Sequence, residues 1–313
     1  MASGMHRDRY DELLAGLAAF ENDHGGLLGL TTDAKRDCLC KQIIASLRRI
    51  EWVLQVKSGD ISPDRCDPHS PIFDPLRAAA YYGQLGHYDQ AVWMTFIQTH
   101  FGKNERFGWK LAANVYGSFG AGPVWTFEYY GAHRAEFERM LRRNALNLAD
   151  KRTSGSFSNH RKFQGRKPDH IARTFSTFYD WQTEFGSLDR RIREIHRNSG
   201  QEPTSTFDAL YRSIGAVYGF GSGRLGRFDL LCMLGKLELA PIVPGSVYLA
   251  NATGPYQGAK LLFCGSQGPT LTRTQLQSRM HLLDDYLRIG KQAIEDSICN
   301  WQKSPRRFVN YRG

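Results

Sequence analysis

A mainly helical fold is what this sequence predicts. Three observations carry it: apolar side chains recur at intervals of three and four, proline and glycine clusters interrupt them at few places, and sustained apolar–polar alternation is missing. Near the start, Leu13, Leu14, Leu17 and Phe20 stripe one face of a helix over residues 10–20. Ile43, Ile44, Leu47, Ile50 and Leu54 predict a second. Between residues 58 and 75, Pro63, Pro68, Pro71 and Pro75 break any helix. Asp74 before Pro75 then reads as an N-cap with proline at the first helical position, so a helix starts at Pro75 and carries Ala78 to Tyr82. Over residues 89–101, Val92, Trp93, Phe96 and Ile97 predict a helix largely sunk into the core.

Gly117, Gly120, Gly122 and Pro123 interrupt the pattern before a basic helix over residues 132–149. Residues 151–173 lose apolar periodicity and gather Arg152, Arg161, Lys162, Arg166, Lys167 and Arg173, which predicts an exposed basic loop. Helices are expected again over 188–197, 207–217, 225–237 and 282–301. Two short segments, 247–249 and 261–264, are compatible with strands and leave an α+β fold open. With no repeat of 20–50 residues, residues 1–313 are expected to form a single catalytic domain, either one compact unit or two packed helical lobes.

Composition narrows the function. The chain has 313 residues, 41% hydrophobic and 12% aromatic, enough for a substantial core. Its 41 lysines and arginines outnumber 31 acids, giving a net charge of +10 that attracts polyanions, nucleic acid first among them. Six cysteines occur without a CxxC pair or zinc-finger spacing, so structural zinc is not expected. Cys232, inside Leu230-Leu231-Cys232-Met233-Leu234, reads as a buried free thiol in a reducing compartment, and a cytoplasmic location is expected. There is no signal-like apolar segment at the start and no long apolar span, so neither export nor membrane insertion is predicted. No cofactor, metal or obligate protein partner is expected.

The segment from Ile214 to Asp229 holds the most chemistry. It reads Ile-Gly-Ala-Val-Tyr-Gly-Phe-Gly-Ser-Gly-Arg-Leu-Gly-Arg-Phe-Asp, two helices flanking a glycine hairpin within residues 207–237. Glycines such as Gly221 let the backbone approach closely, so amides opening the second helix can face a DNA phosphate, with Arg224 and Arg227 adding charge. An ordinary helix–helix turn is the alternative. A dinucleotide-binding loop is excluded, since no strand precedes the glycines and no acidic residue follows at the required distance. Asp229, two turns into the second helix, is a carboxylate that could orient water or stabilise a cationic sugar as a C1′–N bond breaks. Asp74, Glu295 and Asp296 are its rivals.

A second cluster, Phe157-Ser158-Asn159-His160-Arg161-Lys162-Phe163, combines phosphate-neutralising charge, an amide able to pair with a base edge, and rings able to stack. A third, Glu295 to Pro305, offers Asn300 and Gln302 for reading a base or satisfying the helix end, with Trp301 as a base contact or a core anchor. A further turn, Ala252-Thr253-Gly254-Pro255, could hold an anion.

These segments together resemble the clade 3 family of alpha-glutamyl/putrescinyl thymine pyrophosphorylases, distant relatives of helix-hairpin-helix DNA glycosylases. The stretches that carry the likeness are His69 to Leu76, Thr99 to Lys103, Ser158 to Lys162, Gly226 to Asp229, Met233 to Leu237, Ala252 to Pro255 and Cys299 to Pro305. The resemblance implies a helix-hairpin-helix glycosylase-like helical fold. The family's anti-phage branch, which this chain resembles, includes a DNA glycosylase that removes alpha-glucosylated 5-hydroxymethylcytosine. Base excision from double-stranded phage DNA is thereby implied, leaving an abasic site. In many helix-hairpin-helix glycosylases the catalytic aspartate follows the hairpin by about 20 residues, where residues 241–245 hold none here, and Asp229 takes the role instead. No lysine directly follows the hairpin, which implies a monofunctional enzyme without strand cleavage. A thymine-modifying transferase or pyrophosphorylase and a non-catalytic sensor of modified DNA are the other functions considered.

Overall fold

The computed structural model describes residues 3–161, 165–220, 224–266 and 268–311, and these contain sixteen α-helices and no strand. In chain order the helices are α1 (Ser3–His24), α2 (Asp33–Ser58), α3 (Pro75–Gln84), α4 (Tyr88–Phe101), α5 (Lys110–Tyr116), α6 (Phe127–Ala132), α7 (Arg134–Arg143), α8 (Ala145–Ala149), α9 (Lys151–Ser154), α10 (Pro168–Thr183), α11 (Leu188–Asn198), α12 (Pro203–Ser213), α13 (Arg224–Lys236), α14 (Gly254–Cys264), α15 (Arg273–Leu287) and α16 (Lys291–Trp301). The fold is mainly α. The α+β alternative falls because residues 261–264 complete α14, whose last turn is buried on most of its circumference and so reads as a continuous apolar run.

The chain divides into two compact units. The first comprises residues 3–52 and 244–311. Its core joins Leu17 and Phe20 of α1, Leu39 and Ile43 of α2, Leu262 and Phe263 of α14, Met280 and Leu283 of α15, and Ile294, Ile298 and Trp301 of α16. Each such side chain, fully buried, stabilises by about 1.5–3 kcal/mol before conformational entropy is counted. Leu54 does not continue the stripe predicted on α2: it is exposed, because Val53 and Val56 occupy the buried side of the last two turns. The long terminal helix expected over 282–301 is two helices. Arg288 adopts a left-handed conformation (φ 51°), Gly290 follows at φ 84°, and the Asp284 carboxylate accepts from the amides of Ile289 and Gly290, which caps α15 and re-aims the chain.

The second unit comprises residues 53–243. Helix α3 begins as predicted, with Asp74 accepting from the amides of Leu76 and Arg77 and Pro75 in the first turn. Helix α4 is apolar nearly all round and buried over most of its length, which places it at the centre of the unit. Trp93 on α4 lies within 5.4 Å of the Phe96, Tyr130 and Phe175 rings, and its indole N–H donates to the Trp125 carbonyl at 2.9 Å. Phe96 stacks on Phe178 at 4.0 Å. Aromatic pairs of this kind add about 0.5–1.5 kcal/mol beyond their burial. The basic helix expected over 132–149 breaks at Asn144, whose side-chain amide bonds the Met140 carbonyl and so competes with the helix ladder.

Residues 151–173 are not the exposed loop that their composition suggests. Helix α9 occupies the start, α10 begins at Pro168 and carries Arg173, and Ser154, Phe157, Ser158 and Arg161 between them are buried. Arg166 explains part of the difference: its guanidinium donates to the carbonyls of Leu148 and Gly155 and to Ser154 Oγ, satisfying backbone acceptors inside the corner. All six cysteines are free thiols, and Cys38, Cys40, Cys232 and Cys264 are buried.

Candidate active site

Three segments of the second unit converge: the end of α4, residues 155–161, and the second turn of α13. Helix α4 stops at Gly102, which has φ 62° and whose amide closes on the Gln98 carbonyl. A Cβ at this position would overlap the Ser158 side chain, so the glycine is what lets residues 155–161 lie directly on the helix end. The Ser158 amide donates to the Phe101 carbonyl at 3.0 Å, and Asn104 Nδ2 donates to the Phe157 carbonyl at 2.8 Å. Phe157 is stacked on Phe101 at 5.5 Å and is 4% exposed, so it is a core ring rather than a platform for a base.

Arg161 is the centre of this junction. It is 5% exposed; Nε donates to the Thr99 carbonyl at 2.6 Å and Nη2 to Asp229 Oδ2 at 2.6 Å, while Nη1 has no partner among the described residues. The Asp229 side chain, by contrast, is 38% exposed. A buried cation therefore grips one oxygen of a carboxylate that reaches solvent, which fixes the rotamer of Asp229 without covering it. Among the described residues the second oxygen has no hydrogen bond.

His100 lies next to this pair in a cage formed by Phe96, Phe101, Phe157, Phe175 and Phe220. Both ring nitrogens are buried without a partner among the described residues. Burial, and secondarily the Arg161 charge, push its pKa down to about 3, so the imidazole is neutral at physiological pH. Sequence reasoning noted Thr99 to Lys103 only as a stretch of resemblance; nothing in its spacing singles out His100, whose role follows from the aromatic walls around it.

The other sequence-predicted residues scatter. Asn159 is exposed on a 3₁₀ turn beside Arg161. Lys162 and Gly221 lie outside the described residues, as do the side chains of His160 and Arg224. Helices α12 and α13 flank the glycine segment as expected, and Arg227 on α13 packs its guanidinium 4.6 Å over the Tyr211 ring. Asn300, Trp301 and Gln302 belong to the first unit. Trp301 is fully buried, with Nε1 donating to the Lys35 carbonyl, and Asn300 bridges Asp296 and Lys303. Gln302 bonds the Cys299 carbonyl. Trp301 anchors α16 to α2, while the bonds of Asn300 and Gln302 stay within the last turn of α16 and the residues that follow it, which are the core-anchor and helix-end uses that the sequence also allows. Of the rival carboxylates, Asp74 is the buried cap of α3, Glu295 is buried, and Asp296 is ion-paired with Arg49 at 2.5 Å. Among the described residues no cluster of three or more histidine, cysteine or acidic side chains could hold a metal ion, and no helix is long and apolar enough to cross a membrane.

What fold and site define is a mainly helical protein carrying a solvent-facing carboxylate braced by a buried arginine. The chain belongs to the alpha-glutamyl/putrescinyl thymine pyrophosphorylase clade 3 family, whose profile matches residues 34–313. That is an enzyme family, and its name points to DNA-modification chemistry. Comparison with curated proteins and with solved structures gives no match.

Proposed function

We propose that this chain is a monofunctional DNA glycosylase that excises a bulky modified pyrimidine from phage DNA, alpha-glucosyl-5-hydroxymethylcytosine being the substrate expected, as an antiviral defence. The observation that carries the reading is the Asp229–Arg161 pair: a carboxylate held in one orientation, half open to solvent, on a protein of net charge +10. In the reaction the target nucleotide leaves the stack, the C1′–N bond breaks, and the positive charge that develops on the sugar faces Asp229. Water then bonds to C1′ and its proton passes to the departing base, so an abasic site and a free base result. Arg224, Arg227, Lys162 and Gly221 seat the phosphates in this reading, and Asn159 and His160 contact the appended sugar.

The family's own name favours a second reading, a transferase or pyrophosphorylase acting on modified thymine. Mass spectrometry of purified DNAs carrying cytosine, hydroxymethylcytosine, glucosylated hydroxymethylcytosine or thymine after incubation with the protein separates the two. Free glucosylated base and abasic sites support excision; nucleotides that gain mass with every base still attached support transfer; tight binding with neither product leaves a sensor.

A further inference from the structure

Residues 103–110, which follow α4, read Lys-Asn-Glu-Arg-Phe-Gly-Trp-Lys, three cations and one acid around two aromatic rings. They leave from the candidate site itself. Gly102 lies so close to residues 155–161 that a Cβ there would come within 3.5 Å of the Arg161 side chain, and Lys103 follows it directly. Arg161 is the residue that grips Asp229.

The segment is a tight hairpin. Asn104 and Gly108 exchange both amide-to-carbonyl bonds at 2.9 Å, with Gly108 at φ 56°, a conformation glycine takes without strain. The Asn104 side chain fixes the turn: Oδ1 accepts from the amides of Arg106 and Phe107 at 3.0 Å, and Nδ2 donates to the Phe157 carbonyl at 2.8 Å. The far end is moored as well. Lys110 Nζ donates to the Arg152 carbonyl at 2.9 Å and Asn114 Nδ2 to the Ser154 carbonyl at 3.1 Å, which sets α9, with Lys151 and Arg152, beside the hairpin. A segment bonded in this way has little freedom left to lose when it binds a partner.

The charges on it are not spent within the protein. Lys103 and Arg106 are exposed, and neither side chain has an ion pair among the described residues; the Arg106 guanidinium lies 5.2 Å from the centre of the Phe107 ring. On α7 and α11, by contrast, Arg142 and Arg193 pair with Glu138 and Asp189 one turn away. The acid nearest α9, Asp150, turns its carboxylate onto the amides of Arg152 and Thr153 and the Thr153 hydroxyl. Residues 103–110 and 151–154 add no exposed large apolar side chain. A protein partner needs an apolar centre to cover, whereas a phosphate backbone needs cations alone, so the surface suits a nucleic-acid strand.

We propose that the hairpin 103–110, with α9 beside it, is a second phosphate-binding surface, which holds the DNA strand flanking the nucleotide at Asp229. A nucleotide drawn out of the stack stays joined to its neighbours through a phosphate on each side. Lys103, next to the site, contacts the nearer phosphate; Arg106, whose guanidinium can bond two phosphate oxygens at once, contacts one further out, and Arg152 extends the track. The surface rests on the DNA-acting reading for its partner and takes part in no chemical step.

Fluorescence anisotropy of the full chain with a labelled duplex, titrated at several salt concentrations, tests it. Lys103→Ala and Arg106→Ala should each lower the slope of log affinity against log salt by about 0.9 and weaken binding at least ~threefold, equally on unmodified and glucosylated DNA. Arg139→Ala, exposed on α7, should change neither. The three side chains bond no other residue, so folding is expected to survive, with circular dichroism as the check. Cutting the duplex back on one side of the modified nucleotide should cost the wild type affinity and cost the Lys103→Ala/Arg106→Ala double variant less. Slopes equal to the wild type in both single variants overturn the proposal, as does polyglutamate bound as tightly as DNA and weakened equally by the variants, which would mark a surface for acidic protein. Base release measured on the same proteins keeps the two claims apart. Reduced slopes with no base released from any DNA leave the hairpin standing and sink excision; base release with wild-type slopes in both variants does the reverse.

Discussion

Two arginine-bearing stretches of the second unit lie close in sequence and use their charge in opposite ways. Arg161 and Arg166 turn inward, the first between the Thr99 carbonyl and Asp229, the second onto carbonyls of the α8–α9 corner. Arg139, Arg142, Arg143 and Arg152 face solvent. A run of basic residues in a sequence therefore says that charge is present without saying where it goes. What separates the two sets is the supply of buried acceptors: a chain end without helical partners, such as the end of α4, draws a guanidinium in, whereas a helix with its ladder complete leaves its arginines outside.

The sharpest way to break this contrast is to truncate one member of each set. Arg161→Ala strands Asp229 and the Thr99 carbonyl, and a loss of about 3–5 kcal/mol is expected, seen as a fall of ~10 °C in the unfolding midpoint by calorimetry. Asp229→Ala leaves the buried Arg161 cation with only the Thr99 carbonyl and should destabilise by a comparable amount, because the charge left unpaired is the buried one. Gly102→Ala places a methyl group against Ser158 on a left-handed backbone, and ~1–3 kcal/mol is expected from urea unfolding.

A smaller effect sharpens the comparison by pH. The folded-state pKa of His100 lies below its unfolded value of about 6.5, so its contribution to stability is complete above pH 6.5 and is lost as pH falls toward 3, because the unfolded chain takes up the proton first. Unfolding free energies of the wild type from urea titration should fall with a slope about 1.4 kcal/mol per pH unit steeper than those of His100→Leu between pH 6 and 4. Equal slopes would show that the imidazole is not buried against the Arg161 charge. The smallest stability effect is expected at the outward set: Arg143→Ala and Arg152→Ala stay within ~0.5 kcal/mol of wild type. Each phosphate contact they make should reduce the salt slope of DNA affinity by about 0.9.

The helices were legible because their signals are local. Asp74-Pro75 announced α3, and the apolar run of α4 announced a buried helix, with boundaries close to those observed. The break at Asn144 and the turn at Arg288–Gly290 were not, since each depends on a side chain bonding backbone that helical periodicity does not reveal. At the site, Asp229 and Arg161 were each named from sequence, but as separate actors, a catalytic carboxylate and a phosphate ligand. Their pairing spans 68 positions and needs the glycine at 102, so no spacing rule could bring them together. Asn300 and Trp301 admitted two uses each from sequence, because amides and indoles serve both base contact and structure; the structure shows the structural bonds, from Trp301 to the Lys35 carbonyl and from Asn300 to Asp296 and Lys303.

The central claim is that Asp229, held by Arg161, supports cleavage of the glycosidic bond. Single-turnover release of base from glucosylated hydroxymethylcytosine DNA, measured for the wild type and for Asp229→Asn at equal DNA occupancy, addresses it directly. A fall of at least ~100-fold in the release rate with binding retained is the result expected. Equal release rates in the two proteins would contradict the account.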